Sequence, residues 1–424
     1  MKKIFALSIF FLLLTSVAFT GTVNLPRTGQ TKCYDTAGIA IPCAGTGQDG
    51  EIQAGVAWPN PRFTVNADTT MTDNLTGLVW APDGNIMPTR DPGWDTDYTP
   101  GYGTPNDGRV TWQHALDYVA KLNAENYLNY NDWRLPNVNE LESLVIADES
   151  SNVASWLNNM GFTNVQADYY LSSTSLADNK DFVWLVYLVY GSVGHGQKSY
   201  SSGFYVWPVR GGDTISAPAQ IWQTGQTVSY ALGDDGDLEK GIAWPTPRFT
   251  DHGDTVTDNL TGLMWTKNSN LPGDYLTWQQ ALDYVKGMNA GTYENFGYTD
   301  WRLPNRKELH SLTDFSRYGP ALSVGHPFTN VQTGIYSMYW SSTTNAQSYY
   351  KYFAWVFMMY YGHVDYDGKS YNTYYDYVWP VRGGQVGSQE CSTWADVIAK
   401  YQAYVSSQAS WNDVITCYNQ YASP

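Results

Sequence analysis

The chain has 424 residues, with 24 Lys+Arg against 40 Asp+Glu and a formal charge of −16. At roughly 150 residues per domain this length predicts two or three domains, and 43% hydrophobic with 16% aromatic residues excludes a disordered chain. The acidic balance argues against nucleic acid, anionic membrane surfaces and polysulfated glycans, each of which calls for a basic partner.

Lys2 and Lys3 precede the apolar run Ile4 to Leu14, and Ser16-Val17-Ala18 supplies small residues for cleavage. Residues 1–20 therefore read as a secretory signal peptide. The run is too short to span a bilayer, which takes about 20 residues, and no later segment qualifies, so no transmembrane segment is predicted. The expected location is secreted, extracellular or at the cell surface. Cys33 and Cys43 stand near the start of the mature chain, Cys391 and Cys417 near its end, and none lies between. In an oxidising compartment the local pairs Cys33–Cys43 and Cys391–Cys417 are the simplest disulfides.

A domain-sized unit occurs twice. A-W-P-N-P-R-F-T at 57–64 returns as A-W-P-T-P-R-F-T at 243–250, and T-D-N-L-T-G-L-V-W at 72–80 returns at 257–265 with one change. D-W-R-L-P-N at 132–137 matches 300–305, and Y-V-W-P-V-R-G-G at 205–212 matches 377–384. Trp80 and Trp265 are 185 residues apart but Trp112 and Trp278 only 166, so the first copy carries 19 more residues between these points. They fall around Asp91–Arg109, a Gly/Pro/Asp/Tyr-rich stretch that reads as an exposed loop. In each copy the pattern runs strands, two helices, strands. Ala115, Leu116, Val119 and Leu122 form a helical stripe behind Thr111, and Asn137 with Glu140 (Asn305 with Glu308 in the second copy) forms a capping pair. Alternating apolar and aromatic strings at 182–190 and 352–361 then predict strands.

The fold class expected is thus α+β. Residues 21–212 form a first module, 213–222 a linker, 223–384 a second module, each expected to fold alone, and 385–424 a helical hairpin clipped by Cys391–Cys417. The hairpin follows from Trp394, Val397, Ile398 and Tyr401, a helical spacing that recurs from Trp411 onwards.

The ordered strings W-R-L-P-N-x-x-E-L, S-S-T, a Trp-bearing strand and V-W-P-V-R-G-G resemble the secreted bacterial DUF1566, or Lcl C-terminal domain, family, named after the end of a Legionella collagen-like adhesin. The resemblance covers residues 29–212 and 223–384. It implies a C-type-lectin-like fold related to formylglycine-generating enzymes, and an exposed binding module. That enzyme activity rests on cysteines, and no Cys lies between 44 and 390. The collagen-like adhesin binds sulfated polysaccharide, which this acidic chain does not suit.

Catalytic constellations are thin. The six histidines show no HxxxH spacing, Ser173 and Ser342 lack a paired His, and G-T-G-Q-D-G at Gly45–Gly50 reads as a turn, not a phosphate loop. Glu140 and Glu142, two apart on a helix, point in different directions, and no catalytic residue is assigned. Arg134, Arg210, Arg302 and Arg382, with Glu140 and Glu308, are expected to be structural, each guanidinium bonding carbonyls and a carboxylate. No cofactor is required. Calcium is the one the Asp/Asn-rich turns leave open, at Asp73-Asn74, Asp91–Asp97, Asp234–Asp237, Asp258-Asn259 and Asp365–Asp367, with no ligand set assigned.

The two copies differ most at Asp91–Arg109 and Ser348–Tyr377, and loops on a rigid scaffold vary where binding roles diverge. Trp94, Tyr98, Tyr102, Tyr361, Tyr366 and Tyr374 are therefore expected to be exposed and to contact ligand. The expected function is non-enzymatic binding of carbohydrate or a surface protein, in adhesion. The alternative is a structural part of an exported assembly, docked through the C-terminal hairpin.

Overall fold

The computed structural model describes residues 22–94, 105–148, 152–200, 203–212, 216–370 and 375–384, together with Ile398 and Tyr401. The expected signal peptide and the expected pair Cys391–Cys417 lie outside the described residues, as does the segment expected to form a hairpin apart from Ile398 and Tyr401.

Each repeat builds the same parts, a mixture of strands and short helices. In the first, Phe63–Val65, Met71–Asp73, Leu78–Trp80 and Val209–Gly211 make a four-stranded antiparallel sheet. Phe249–Asp251, Thr255–Asp258, Leu263–Thr266 and Val381–Gly383 make its counterpart. A longer helix, Trp112–Ala124 or Trp278–Asn289, buries the predicted stripe. The shared strings supply the core: Trp80 packs on Trp207 at 5.3 Å and Trp265 on Trp379 at 5.4 Å, all four fully buried. The short helices Val138–Ser143 and Arg306–Ser311 both open on the expected reciprocal cap, Asn137 with Glu140 and Asn305 with Glu308. Among the described residues no helix is long and apolar enough to cross a membrane.

The remaining strands of both repeats share one sheet. Its order is Tyr375–Tyr377, Ser337–Thr344, Phe353–Met358, His363–Gly368, Ser192–Gln197, Phe182–Tyr187, Tyr169–Ser175, Phe204–Tyr205, Arg109–Val110. The join is antiparallel, with Val193 opposite Val364. Each repeat thereby covers the other's exposed edge, the part of a sheet that would otherwise recruit foreign strands.

Behind the join, the Val138–Ser143 and Arg306–Ser311 helices meet across a buried ionic cluster. Glu142 receives Lys307 Nζ at 2.9 Å and Arg306 Nη2 at 3.4 Å, and Arg306 also donates to the Gly191 carbonyl at 2.5 Å and lies over the Trp355 ring at 4.0 Å. His310 Nε2 meets Asn139 Oδ1 at 3.0 Å. Aligned by D-W-R-L-P-N, Val138 stands where Arg306 does, Asn139 where Lys307 does, and Glu142 where His310 does. The acid comes from one repeat and the bases from the other.

The boundary expected at 213–222 cuts across an exchange of segments. Residues 22–56 precede the first repeat and bond it at Ala147 and Asp148, yet they also anchor on the second: Asp49 Oδ2 accepts from Thr343 at 2.7 Å, Gln30 bonds both backbone groups of Thr344, and Asn305 donates to the Ala54 carbonyl. Residues 217–242 mirror this on the first repeat, where Asp235 accepts from Thr174 at 2.7 Å, Gln226 bonds Ser175 and Asn137 donates to the Lys240 carbonyl. Between 216 and 222, Ser216 and Pro218 are exposed but Ala217, Ala219, Ile221 and Trp222 are buried, so this stretch packs against the rest of the chain. Cys33 and Cys43 are bonded to each other within the first of these arms. Gly45–Gly50, read as a turn, leads into the helix Asp49–Ile52 that carries the anchoring carboxyl.

Among the described residues Asp49 and Asp235 have no countercharge in contact, only hydroxyl donors, and burial pushes them up to about 6 and about 7 against the Thr hydroxyls that pull them down. A carboxyl whose folded pKa is raised contributes stability that is present below its unfolded value, near 4, and is lost as pH rises through the folded value. For Asp235 the span is roughly 3 units, or about 4 kcal/mol lost between pH 4 and pH 8. Asp235→Asn stays neutral throughout. Its melting temperature is expected to fall less than that of the wild type across that range, and equal slopes would show that Asp235 is ionised in the fold.

Candidate functional site

The four arginines take two kinds of place. Arg134 is buried and bonds Glu140 with both terminal nitrogens, at 2.5 and 2.6 Å, and the Gly211 carbonyl at 2.8 Å. Arg302 does the same with Glu308 and Gly383. Glu140 and Glu308 each serve twice, since the same carboxylates accept from the cap residues' N–H at 2.8 Å. Gly212 explains the terminal R-G-G: at φ +97° and with Leu78 2.6 Å from any added Cβ, no other residue fits beside the pair. Arg210 and Arg382 instead lie nearer the surface, paired with Asp132 and Asp300 and stacked over Tyr130 at 3.7 Å and Tyr298 at 3.8 Å. All four are used within the protein.

Of the aromatic candidates, Tyr98, Tyr102 and Tyr374 lie outside the described residues. Trp94 is half-buried, not exposed, because it folds back against His114, Tyr118 and the Lys121 ammonium. Tyr361 and Tyr366 are also half-buried, for a different reason: both sit at the join between the repeats. Tyr361 stacks on His363 at 5.5 Å and donates to Asp178 of the first repeat. Tyr366 packs on Trp355 and against Tyr190 of the first repeat, at 5.8 and 5.9 Å.

The Asp/Asn turns named as calcium candidates are mostly committed. Asp73 and Asp258 each hold an arginine, Arg62 or Arg248, and cap their own turn. Asp91 holds Arg90 and Lys121, while Asp234 caps the helix Asp235–Leu238.

The join opens into a cleft of about 240 Å³ lined by Tyr169, Tyr187, Tyr190, Ser192, Val193 and Gly194 of the first repeat and His363, Val364, Asp365 and Tyr366 of the second. Tyr169 and Tyr187, opposite each other on neighbouring strands, stack at 4.2 Å. Tyr190 follows at 5.4 Å and meets Tyr350 hydroxyl to hydroxyl at 3.0 Å. That bond, with burial, pushes Tyr190 up to about 12, so the phenol stays neutral. At the side, His195 Nδ1 and His363 Nε2 share a hydrogen bond of 2.7 Å. Burial first, then the neighbouring imidazole, hold His363 down to about 3, so the pair is uncharged at neutral pH. A larger depression of about 570 Å³, lined by His252, Asp254, Thr255, Glu294, Phe296 and Tyr298, belongs to the second repeat alone. It is the more polar and open of the two, and the cleft at the join offers the richer stacking surface.

Tyr169, Tyr187, Tyr190 and His363 were not marked by the sequence, because the site exists only where two strand edges meet, and no local pattern says which edges pair. The insertion and the Tyr-rich stretch drew attention to length differences. The cleft takes Tyr366 from the Tyr-rich stretch, but most of its rings come from aligned positions that differ in residue type, such as Tyr169 against Met338 and Tyr187 against Met358.

A family description, the Lcl C-terminal domain, matches the chain twice, at residues 69–210 and 254–382. The chain belongs to the Lcl C-terminal domain family. No curated protein matches it. All residues lining the cleft fall inside the two Lcl matches, whereas the exchanged arms, 22–56 and 217–242, fall outside both. Two Lcl units thus supply the surface, and segments outside the matched regions tie them together.

Proposed function

We propose that this protein is an exported, non-enzymatic binding protein that takes carbohydrate in the tyrosine-lined cleft, with each Lcl unit a C-type-lectin-like module. The observation that carries the reading is the run of Tyr169, Tyr187, Tyr190 and Tyr366 around one open cleft. Tyrosine offers an apolar face for the C–H side of a pyranose and a hydroxyl for its edge, at little entropic cost. Drug-sized pockets run to roughly 300–1,000 Å³, so a cleft of this size suits a terminal sugar unit, not a long chain. Asp365 at the rim and the charge of −16 favour neutral or amino sugars over sulfated ones.

On a glycan array the full chain is expected to bind such sugars, and Tyr169→Ala with Tyr187→Ala to weaken binding at least tenfold while shifting the melting temperature little. Arg302→Ala is expected to do the reverse, unfolding the module by stripping Glu308 of its partner, at a cost of several kcal/mol. No sugar bound, or unchanged binding by the double variant, removes the assignment.

A further inference from the structure

The second repeat carries a buried acidic pair that the first lacks. Asp367, in the strand His363–Gly368, and Asp376, in Tyr375–Tyr377, lie with their carboxyl groups within hydrogen-bonding reach of each other. They are 7% and 1% exposed. Asp367 Oδ1 accepts from the Gly368 N–H at 2.6 Å. Asp367 Oδ2 and both oxygens of Asp376 are buried without any donor among the described residues. The nearest lysine in sequence, Lys369, is spent elsewhere, its Nζ on the carbonyls of Tyr34 and Asp35 and over the Trp278 ring.

In the first repeat the aligned residues are Gly196 and Phe204. They touch: a Cβ on Gly196 would stand 2.7 Å from the Phe204 ring. An apolar contact has thus been replaced, at the same place in the fold, by two carboxyl groups and no base. Buried carboxylates are kept only when paired, protonated or bound to a metal, because an uncompensated charge in the interior is too costly.

We propose that Asp367 and Asp376 form a calcium site, the two carboxylates supplying the anionic ligands at the edge of the shared sheet. Three buried, unclaimed oxygen atoms match a hard cation that accepts irregular carboxylate and carbonyl geometry.

The test uses the full chain stripped with EDTA and titrated with Ca²⁺ by calorimetry, and with Tb³⁺ by luminescence sensitised through the aromatic residues. One saturable equivalent is expected, together with a higher melting temperature in Ca²⁺. Asp376→Asn is expected to lose at least tenfold in affinity. The double variant Asp367→Gly with Asp376→Phe restores the first repeat's contact and is expected to fold, to bind no ion at this site, and to melt identically with and without Ca²⁺. Wild-type protein that takes up no stoichiometric ion, so that the pair merely shares a proton, overturns the proposal. So does a double variant that binds as the wild type does, which would place the ion on the acidic surface.

Discussion

Replacing Glu142 with Gln is expected to destabilise the whole chain by about 3–5 kcal/mol, because it leaves Lys307 and Arg306 buried with no anion. Burial pulls the Glu142 carboxyl up, yet Lys307 and Arg306 together hold it below the ordinary carboxylate range. Its contribution is therefore present at neutral pH and lost only as pH falls below about 4. The loss is a coupling across the join, so it is expected to shrink when the orphaned base is also removed. Lys307→Asn, the residue the first repeat has at that position, should recover part of the deficit, giving an interaction energy of about 1–3 kcal/mol in a double-mutant cycle. Urea unfolding of the four proteins measures it. A cost below 1 kcal/mol for Glu142→Gln would mean that the cluster does not hold the repeats together.

The same cluster explains why the repeats pair with each other. Two first repeats placed in this arrangement would set Glu142 against the other copy's Val138 and Asn139, and two second repeats would set His310 against Arg306 and Lys307 with no acid. Either leaves buried charge without a counterion, which the observed arrangement supplies. His310 already shows the strain of the basic side: burial first holds its imidazole down to about 4, so it stays neutral beside the two cations.

Much of the fold within a repeat was legible. The W-R-L-P-N-x-x-E-L string announced its own helix cap, the spacing of Ala115, Leu116, Val119 and Leu122 its helix, and the duplicated Trp residues their core. These are local patterns, each fixed by neighbours within a few residues. The exchange of arms was not legible, although T-G-Q at 28–30 and 224–226 and Asp-Gly at 49–50 and 235–236 repeat in order. Those strings are short, polar and far apart, and nothing in them says that Asp49 seeks Thr343 and not Thr174. The exposure expected of Tyr361 and Tyr366 failed for a related reason. A tyrosine in a variable strand reads as surface until another strand edge is known to lie beside it. The carboxyl pair Asp367 and Asp376 was half visible, since the Asp365–Asp367 turn was singled out and its partner, in the next strand along the chain, was not.

The central claim is that each repeat is completed by the arm that reaches it, so that the cleft is the product of one fused unit and not of two independent domains. Fragments decide it. A first repeat carrying the arm that docks on it, residues 57–242, is expected to melt cooperatively, because Asp235, Gln226 and Lys240 supply the partners of Thr174, Ser175 and Asn137. The fragment 22–212 keeps the sequence-adjacent arm but leaves Thr174 and Asn137 without them, and is expected to melt at least 10 °C lower or without a cooperative transition. Circular dichroism melts of the two fragments, at equal concentration and pH, give the comparison. If 22–212 melts as high and as sharply as 57–242, the arms do not complete the repeats they touch, and the boundary belongs at 213–222 after all.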